Sequence, residues 1–359
     1  MRLLEAVRRD LEALRGAHLV RTPRVVERVH GPFVTIDGRE VLSFCSNDYL
    51  GIAQDPRVGE AAARAAKEHG WGAAASRALQ GTTRLHRELE ERIAAIKGTA
   101  DALLFPSGYA ANVGLLQAIA TRDTLILSDA LNHASLVDGC RLSRARVHVY
   151  PHGDAATAAR LADVDAERRF ILTDTVFSMD GDLAPLEALR ATGLDMVVDD
   201  VHGLGVFGPE GRGCLDVPIQ TGNLAKAAGG IGGFVAGPSE LIELVRSRAR
   251  TWLFTTAPPA AVCAAGLEGL RILTSEPERR ERLWSNVRLL GAASPIRTAI
   301  VGSNEAALAA SARLLEQGFF VPAIRPPTVP EGTARLRVTV TAMHEREHVE
   351  ALVEALRKI

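Results

Sequence analysis

Lysine is scarce in this chain: of 42 basic residues in 359, only Lys67, Lys97, Lys226 and Lys358 are not arginine. Cysteine is scarce too, and Cys45, Cys140, Cys214 and Cys263 stand far apart. None has the short paired spacing of a metal-ligand set, so no metal is expected, and reduced thiols in a cytoplasmic protein are. An excess of charge of either sign is missing, since 43 acidic residues leave a net charge of −1. That removes the basic face which nucleic acid or an anionic lipid surface requires. No apolar run is long enough to span a bilayer. The first ten residues carry charges throughout and lack the apolar segment of a signal peptide. They read as an amphipathic helix. No repeat of 20–50 residues is present.

What is there is an ordinary globular composition, 47% hydrophobic and 24% charged, in a length that suits two domains or one large α/β domain with an appendage. Residues 1–44 read as an N-terminal arm, with a helix followed by a hairpin over Phe33–Phe44 that turns at Asp37-Gly38. From 45 to 273 the pattern predicts a large α/β domain. Its strands fall at Ala102–Phe105, Thr124–Ser128, Arg146–Tyr150, Phe170–Thr173, Asp195–Asp199 and Gly233–Ala236. Helical stretches alternate with them, which predicts a mainly parallel sheet with helices on both faces. The Ala-rich helix Pro258–Leu273 leads to a smaller C-terminal α+β domain over 274–359, closed by a strand over Arg335–Thr341 and a helix over Glu345–Ile359.

The scarcity of lysine draws the eye to one position. Lys67 and Lys97 end amphipathic helical stretches and Lys358 is penultimate, but Lys226 lies among small and apolar residues from Thr221 to Gly233. Arginine cannot lose its proton in a protein, whereas a desolvated lysine can, and only a neutral amine adds to a carbonyl. A loop lysine whose ammonium snorkels to water is the ordinary alternative. Upstream, the strand Asp195–Asp199 runs into Asp199, Asp200 and His202. There Asp199 can be aimed into the cleft at the carboxyl edge of a sheet. A Schiff-base lysine and an acid that keeps a pyridinium nitrogen protonated are the pairing that pyridoxal phosphate chemistry needs. Asp200 reads equally well as a structural carboxylate capping the following turn.

Three further loops follow predicted strands. Ser107 and Gly108 stand where a strand stops and a helix begins, a ready anion site, or simply an N-cap. His133 follows the second strand, where an imidazole could lie flat against an aromatic cofactor. Ser178, in the loop after Thr173, could reach a phenolic oxygen; a plain turn residue is the alternative. The glycines of Ala227–Gly233 precede a strand, whereas a nucleotide-binding loop follows one, so no dinucleotide or P-loop site is expected.

Taken together with Ser46-Asn-Asp-Tyr-Leu-Gly51, Gly81-Thr-Thr-Arg-Leu-His86 and Ala323–Pro330, these residues resemble the α-oxoamine synthase family of fold type I pyridoxal phosphate enzymes. The resemblance covers nearly the whole chain. It implies pyridoxal 5'-phosphate held by Lys226, with Asp199 on the pyridine nitrogen, His133 on the ring face, and His202 and Ser178 on the phenolic oxygen. Ser107, Gly108, Tyr109 and Asn223 would serve the phosphate end, while Thr255 and Thr256 would reach the phosphate of a neighbouring subunit in a homodimer with shared sites. Arg337 would grip the amino acid carboxylate, and Arg21, Asn47, His133 and Thr328 would lie near the substrates. Lys226, His133, Asp199 and His202 form the implied catalytic set.

The implied activity is decarboxylative condensation of L-alanine with a pimeloyl thioester, carried on coenzyme A or acyl carrier protein, in the making of biotin. Glycine-using members of the family are the alternative, and the small residues Ala73–Ser76 suit alanine's methyl. A catalytically silent homologue is disfavoured by the intact lysine, aspartate and histidine. Two departures from the family pattern stand out. Asn223 occupies a position where the family has Thr or Ser, and the stretches Gly213–Lys226 and Leu289–Ser294 are contracted.

Overall fold

A computed structural model describes residues 1–359. The chain divides into two compact units, one made of Asp48–Ser178 and Asp182–Glu281, the other of Met1–Asn47, Met179–Gly181 and Arg282–Ile359.

The larger unit is built on a seven-stranded sheet. Across it the strands run Asp101–Phe105, Gly233–Gly237, Ile219–Asn223, Asp195–Asp199, Arg168–Asp174, Thr124–Asp129 and Arg146–Tyr150. Gly233–Gly237 is antiparallel to both neighbours, and every other pairing is parallel. The expected architecture, mainly parallel with helices on both faces, is therefore borne out. The central strands are buried on both faces, as parallel strands in such a sheet must be. Ile126, Leu172 and Val197 pack to one side with Leu115, Leu116 and Ile242, while Leu125, Leu127, Ile171 and Val198 pack to the other with Tyr150 and Leu189.

Six of the seven strands stand where the apolar runs predict them. The seventh, Ile219–Asn223, has no such run: its Gln220 and Thr221 are polar yet fully buried. Gln220 Nε2 donates to the Val217 carbonyl at 2.6 Å, and Thr221 Oγ1 donates to Asn112 Oδ1 at 2.6 Å. Hydrogen bonds that pattern reading cannot foresee make the burial possible.

The smaller unit carries the hairpin Phe33–Ile36 and Arg39–Ser43, with Ile36 opposite Arg39. Asp37 and Gly38 both have positive φ, at 51° and 70°, the requirement of a two-residue turn whose twist matches the strands. Arg28–His30 and Phe319–Phe320 extend this to four strands. A separate antiparallel sheet orders Ile296–Gly302, Ala334–Thr339 and Ala323–Ile324. The final helix spans Arg346–Leu356. No helix of the chain is long and apolar enough to cross a membrane.

Candidate active site

Three adjacent parallel strands each end in an aspartate: Asp129, Asp174 and Asp199. Asp174 and Asp199 lie directly opposite each other in register. Both are buried, at 4% exposed, and both are pushed above the ordinary carboxylate value. For Asp174 the causes are desolvation first and the Asp199 charge second. For Asp199 desolvation again leads, opposed by the Asn112 amide, His133, the Val201 N–H and Lys226. An acid so placed is well served by a cationic N–H donor, since burial of an unpaired carboxylate is costly.

Lys226 sits on the turn between the strands Ile219–Asn223 and Gly233–Gly237. The turn is closed by Leu224 N donating to the Gly232 carbonyl at 2.8 Å and Gly229 N to the Lys226 carbonyl at 2.9 Å, and it is anchored by the buried Leu224 side chain. Lys226 Nζ lies 2.7 Å from His202 Nε2, and His202 Nδ1 lies 2.6 Å from the buried Tyr49 hydroxyl. His202 thus has an oriented partner on each ring nitrogen, with the amine on one side.

His133 caps the helix Ala134–Ser143 through its own ring: Ser135 N donates to His133 Nδ1 at 3.2 Å, with Ser135 Oγ 2.7 Å from the same nitrogen. Its backbone N–H donates to Asp174 Oδ2 at 2.8 Å, which moors the loop to the strand end. The imidazole is held below its ordinary value, by desolvation first and by Lys226, while Asp199 acts the other way.

The anion cradle is local chain geometry. Ser107 Oγ accepts from Ala110 N at 3.1 Å and caps the helix Gly108–Ile119. The Asn223 amide nitrogen stands over Gly108, 3.2 Å from where a Cβ there would project. Asn223 Oδ1 accepts from Ala225 N at 3.0 Å, which turns that nitrogen towards the helix N-terminus. A Cβ on Gly233 would come within 2.2 Å of the Ser107 carbonyl oxygen, so only glycine lets this turn settle on the sheet. Free helix N–H groups, an amide donor and no intruding side chain fit a phosphate. Together with an addressable amine at Lys226 and a buried acid at Asp199, the donor set fits a phosphorylated pyridine aldehyde.

The other expected residues are placed as follows. Tyr109 is half-exposed and its hydroxyl donates to Asp138 Oδ2 at 2.5 Å. Ser178 is half-buried, following Val176, which bridges to Leu183 across a tight loop. Thr255 and Thr256 follow the short helix Arg250–Leu253, and Thr256 pairs with Ser76 in an isolated bridge. Arg21, Asn47, Thr328 and Arg337 belong to the smaller unit. Arg337 is buried, its guanidinium donating to Thr339 Oγ1 at 2.8 Å and to Asn47 Oδ1 at 3.2 Å. Arg21 donates to the carbonyls of Arg325 (3.1 Å) and Pro326 (2.7 Å), and Thr328 N closes the same turn onto the Arg325 carbonyl.

The scarce lysines separate differently from what the sequence suggests. Lys97, placed by its sequence at a helix end, is fully buried, with Nζ 2.6 Å from Asp200 Oδ2. It donates also to the carbonyls of Arg212 and Cys214. Asp200 accepts in addition from Thr175 Oγ1 and Cys214 N. Every strong donor of this lysine is committed, so it is a structural ion pair. Asp200 is thus a structural acid, whereas the Asp199 carboxylate accepts from Asn112 Nδ2 and Val201 N. Sequence reading misses Tyr49, Asn112, Ser135 and Asp174. Of these only Asn112 leaves a trace, as an amide in an otherwise apolar buried helix.

The sequence pattern of aminotransferases of class I and II matches residues 39–356. The chain belongs to that family. Within it, the 8-amino-7-oxononanoate synthase of Methylococcus capsulatus is 47% identical, over 96% of this chain and 96% of that protein. The namesake enzyme of Alkalilimnicola ehrlichii is 46% identical over 97% and 96%. Among solved structures, SPT with its PLP internal aldimine superposes with a TM-score of 0.90 at 30% identity, covering 99% of this chain and 96% of that one. An 8-amino-7-oxononanoate synthase from Francisella tularensis gives 0.78 at 25% identity, covering 89% and 97%. This aminotransferase-family chain therefore has the fold type I architecture and the kinship that its motifs imply.

Proposed function

We propose that the protein is a pyridoxal phosphate-dependent acyltransferase of biotin synthesis. It condenses L-alanine with a pimeloyl thioester to give 8-amino-7-oxononanoate, CO2 and the free thiol. The observation that carries this reading is near-full-length identity of 43–47% to proteins bearing that name, over a site with Lys226, Asp199, His133 and His202 in place. The serine palmitoyltransferase structures superpose well but at about 30% identity, so they speak for the scaffold more than for the substrate.

When bound, pyridoxal phosphate supplies the electron sink that lets a bond to the amino acid's Cα break, so that the electron pair can attack the thioester carbonyl. The chain's own groups do the rest. Lys226 Nζ, steadied by His202 Nε2, takes the proton from Cα and returns one after CO2 has left. Asp199 keeps the ring-nitrogen proton in place. His133 would support the cofactor ring, and Ser178 and His202 would hold its phenolic oxygen. Ser107, Gly108 and Asn223 hold the phosphate. Arg337, its fork set by Thr339 and Asn47, would grip the substrate carboxylate and so select which Cα bond breaks. Arg21 and Thr328, joined at one turn, serve the acyl substrate. Tyr109, Thr255 and Thr256 would complete the phosphate environment, the threonines from a second copy in a homodimer. The four unpaired cysteines agree with a cytoplasmic enzyme.

The deciding assay offers the cofactor-loaded enzyme alanine, glycine or serine with pimeloyl-CoA and with pimeloyl-acyl carrier protein, and follows thiol release, CO2 and the amino ketone. Turnover with alanine that exceeds the others supports the proposal. Preference for glycine moves the protein to a sister activity, and preference for serine to the palmitoyltransferase branch. Light scattering of the purified protein reports the dimer.

A further inference from the structure

One buried amide connects the two residues that would meet the pyridine ring. Asn112 Nδ2 donates to Asp199 Oδ2 at 2.7 Å and to Ser135 Oγ at 2.8 Å, while its Oδ1 accepts from Thr221 Oγ1 at 2.6 Å. The carboxylate of Asp199 only accepts, so the amide must present its nitrogen there, and the Thr221 hydroxyl pins the opposite end. Ser135 Oγ, receiving the second amide hydrogen, points its own hydrogen at His133 Nδ1, 2.7 Å away. The Ser135 backbone N–H donates to that same nitrogen. Two donors on Nδ1 leave no room for a hydrogen on it. Nδ1 also lies at the N-terminus of the helix Ala134–Ser143, where the dipole disfavours a cationic cap.

We infer that Asn112 and Ser135 are positioning residues: their amide and hydroxyl fix Asp199 as an acceptor and His133 as the neutral, Nε2–H tautomer. The effect is to decide where one proton resides. A His133 able to take a proton would compete with the ring nitrogen for the Asp199 charge. With Nδ1 blocked, the pyridinium is left as the partner of Asp199, and His133 Nε2–H is left as a donor at the ring face. The charged groups that act on His133 are Asp199 and Lys226, with the Asp174 carboxylate on its backbone N–H. The lowered basicity of His133 agrees with this arrangement.

The roles of Asp199 and His133 rest on the function proposed above, but the test does not. Full-length protein labelled with 15N-histidine is examined by long-range 1H–15N spectroscopy near pH 7, with and without cofactor, and the His133 signals are assigned by their loss in His133→Gln. The expected wild-type pattern is a protonated Nε2 and an unprotonated, strongly hydrogen-bonded Nδ1. Ser135→Ala should move the Nδ1 signal towards that of a free acceptor, and Ser135→Thr should restore it. Asn112→Ala should move it the same way, although Asn112 does not touch His133. In loaded enzyme, Ser135→Ala should lower kcat about fivefold, the rate equivalent of one neutral hydrogen bond, with little change in KM. A wild-type Nδ1–H or imidazolium at pH 7, or an Nδ1 signal unmoved in Ser135→Ala, would overturn the inference. An Asn112→Ala spectrum identical to wild type would sink the link through Asn112. These readings stand even if the condensation assay fails.

Discussion

At the scale of the residue, what matters is which side chain can give up or hold a proton. Lys226 is placed for both, beside a histidine whose far nitrogen is braced by Tyr49. Lys226→Ala should abolish turnover, by at least about a thousandfold, as expected for loss of a positioned base and covalent anchor. Lys226→Arg should fail to rescue it, because a guanidinium stays protonated. Residual turnover near wild type in either variant, measured by thiol release, would refute the assignment. Asp199→Asn should leave the cofactor bound, by visible absorbance, and turnover largely lost, since the amide cannot hold a ring-nitrogen proton by charge. The lysine was legible because the chain uses so few, and the aspartate because it ends an apolar run. Asn112 left only the trace of an amide in an apolar helix, and its links were not legible, since Asp199 and Ser135 stand 87 and 23 residues away from it in the chain.

At the scale of the element, caps and turns aim these groups. Ser107 is an N-cap as well as a cradle residue, so Ser107→Ala should cost about 1 kcal/mol of stability and weaken cofactor binding as well. Calorimetry and a cofactor titration together check this; an unchanged affinity would leave Ser107 a cap only. Gly233→Ala should be harsher on the cofactor than on the fold class, because its Cβ must push the Ser107 carbonyl away. Two capping histidines set a pH limit. His86 closes the first turn of the helix Arg84–Lys97, its Nδ1 accepting from Thr83 N and its Nε2 donating to the Pro258 carbonyl; His344 Nδ1 accepts from Thr341 N and its Nε2 donates to the Ser43 carbonyl. Burial, the first cause in each case, lowers both to about 4. Because the folded value lies below the unfolded one near 6.5, the unfolded chain takes up the proton first as pH falls. Stability should therefore be full above pH 6.5 and decline towards pH 4, at up to about 1.4 kcal/mol per pH unit for each histidine. Urea midpoints that stay flat from pH 7 to 4.5 would contradict this.

At the scale of the whole molecule, one buried ion pair ties the end of the helix Arg84–Lys97 to the strand end at Asp200. Lys97→Met alone should destabilise by about 3–5 kcal/mol, because it strands the Asp200 carboxylate, and Lys97→Met with Asp200→Leu should recover much of that loss. Thermal unfolding of the single and double variants measures it. The sequence by itself determined the alternation that makes the parallel sheet, the hairpin turn at Asp37-Gly38, the family and the one lysine set among small and apolar residues. These rest on local period, turn chemistry and residue scarcity, all readable along the chain. Only the tertiary structure decided that Lys97 is buried and spent, that a polar strand over Ile219–Asn223 sits inside the sheet, and that one amide joins Asp199 to His133. The physical reason is shared: the buried Lys97, Thr221 and Asn112 find their partners in distant parts of the chain, and local pattern does not reveal those partners.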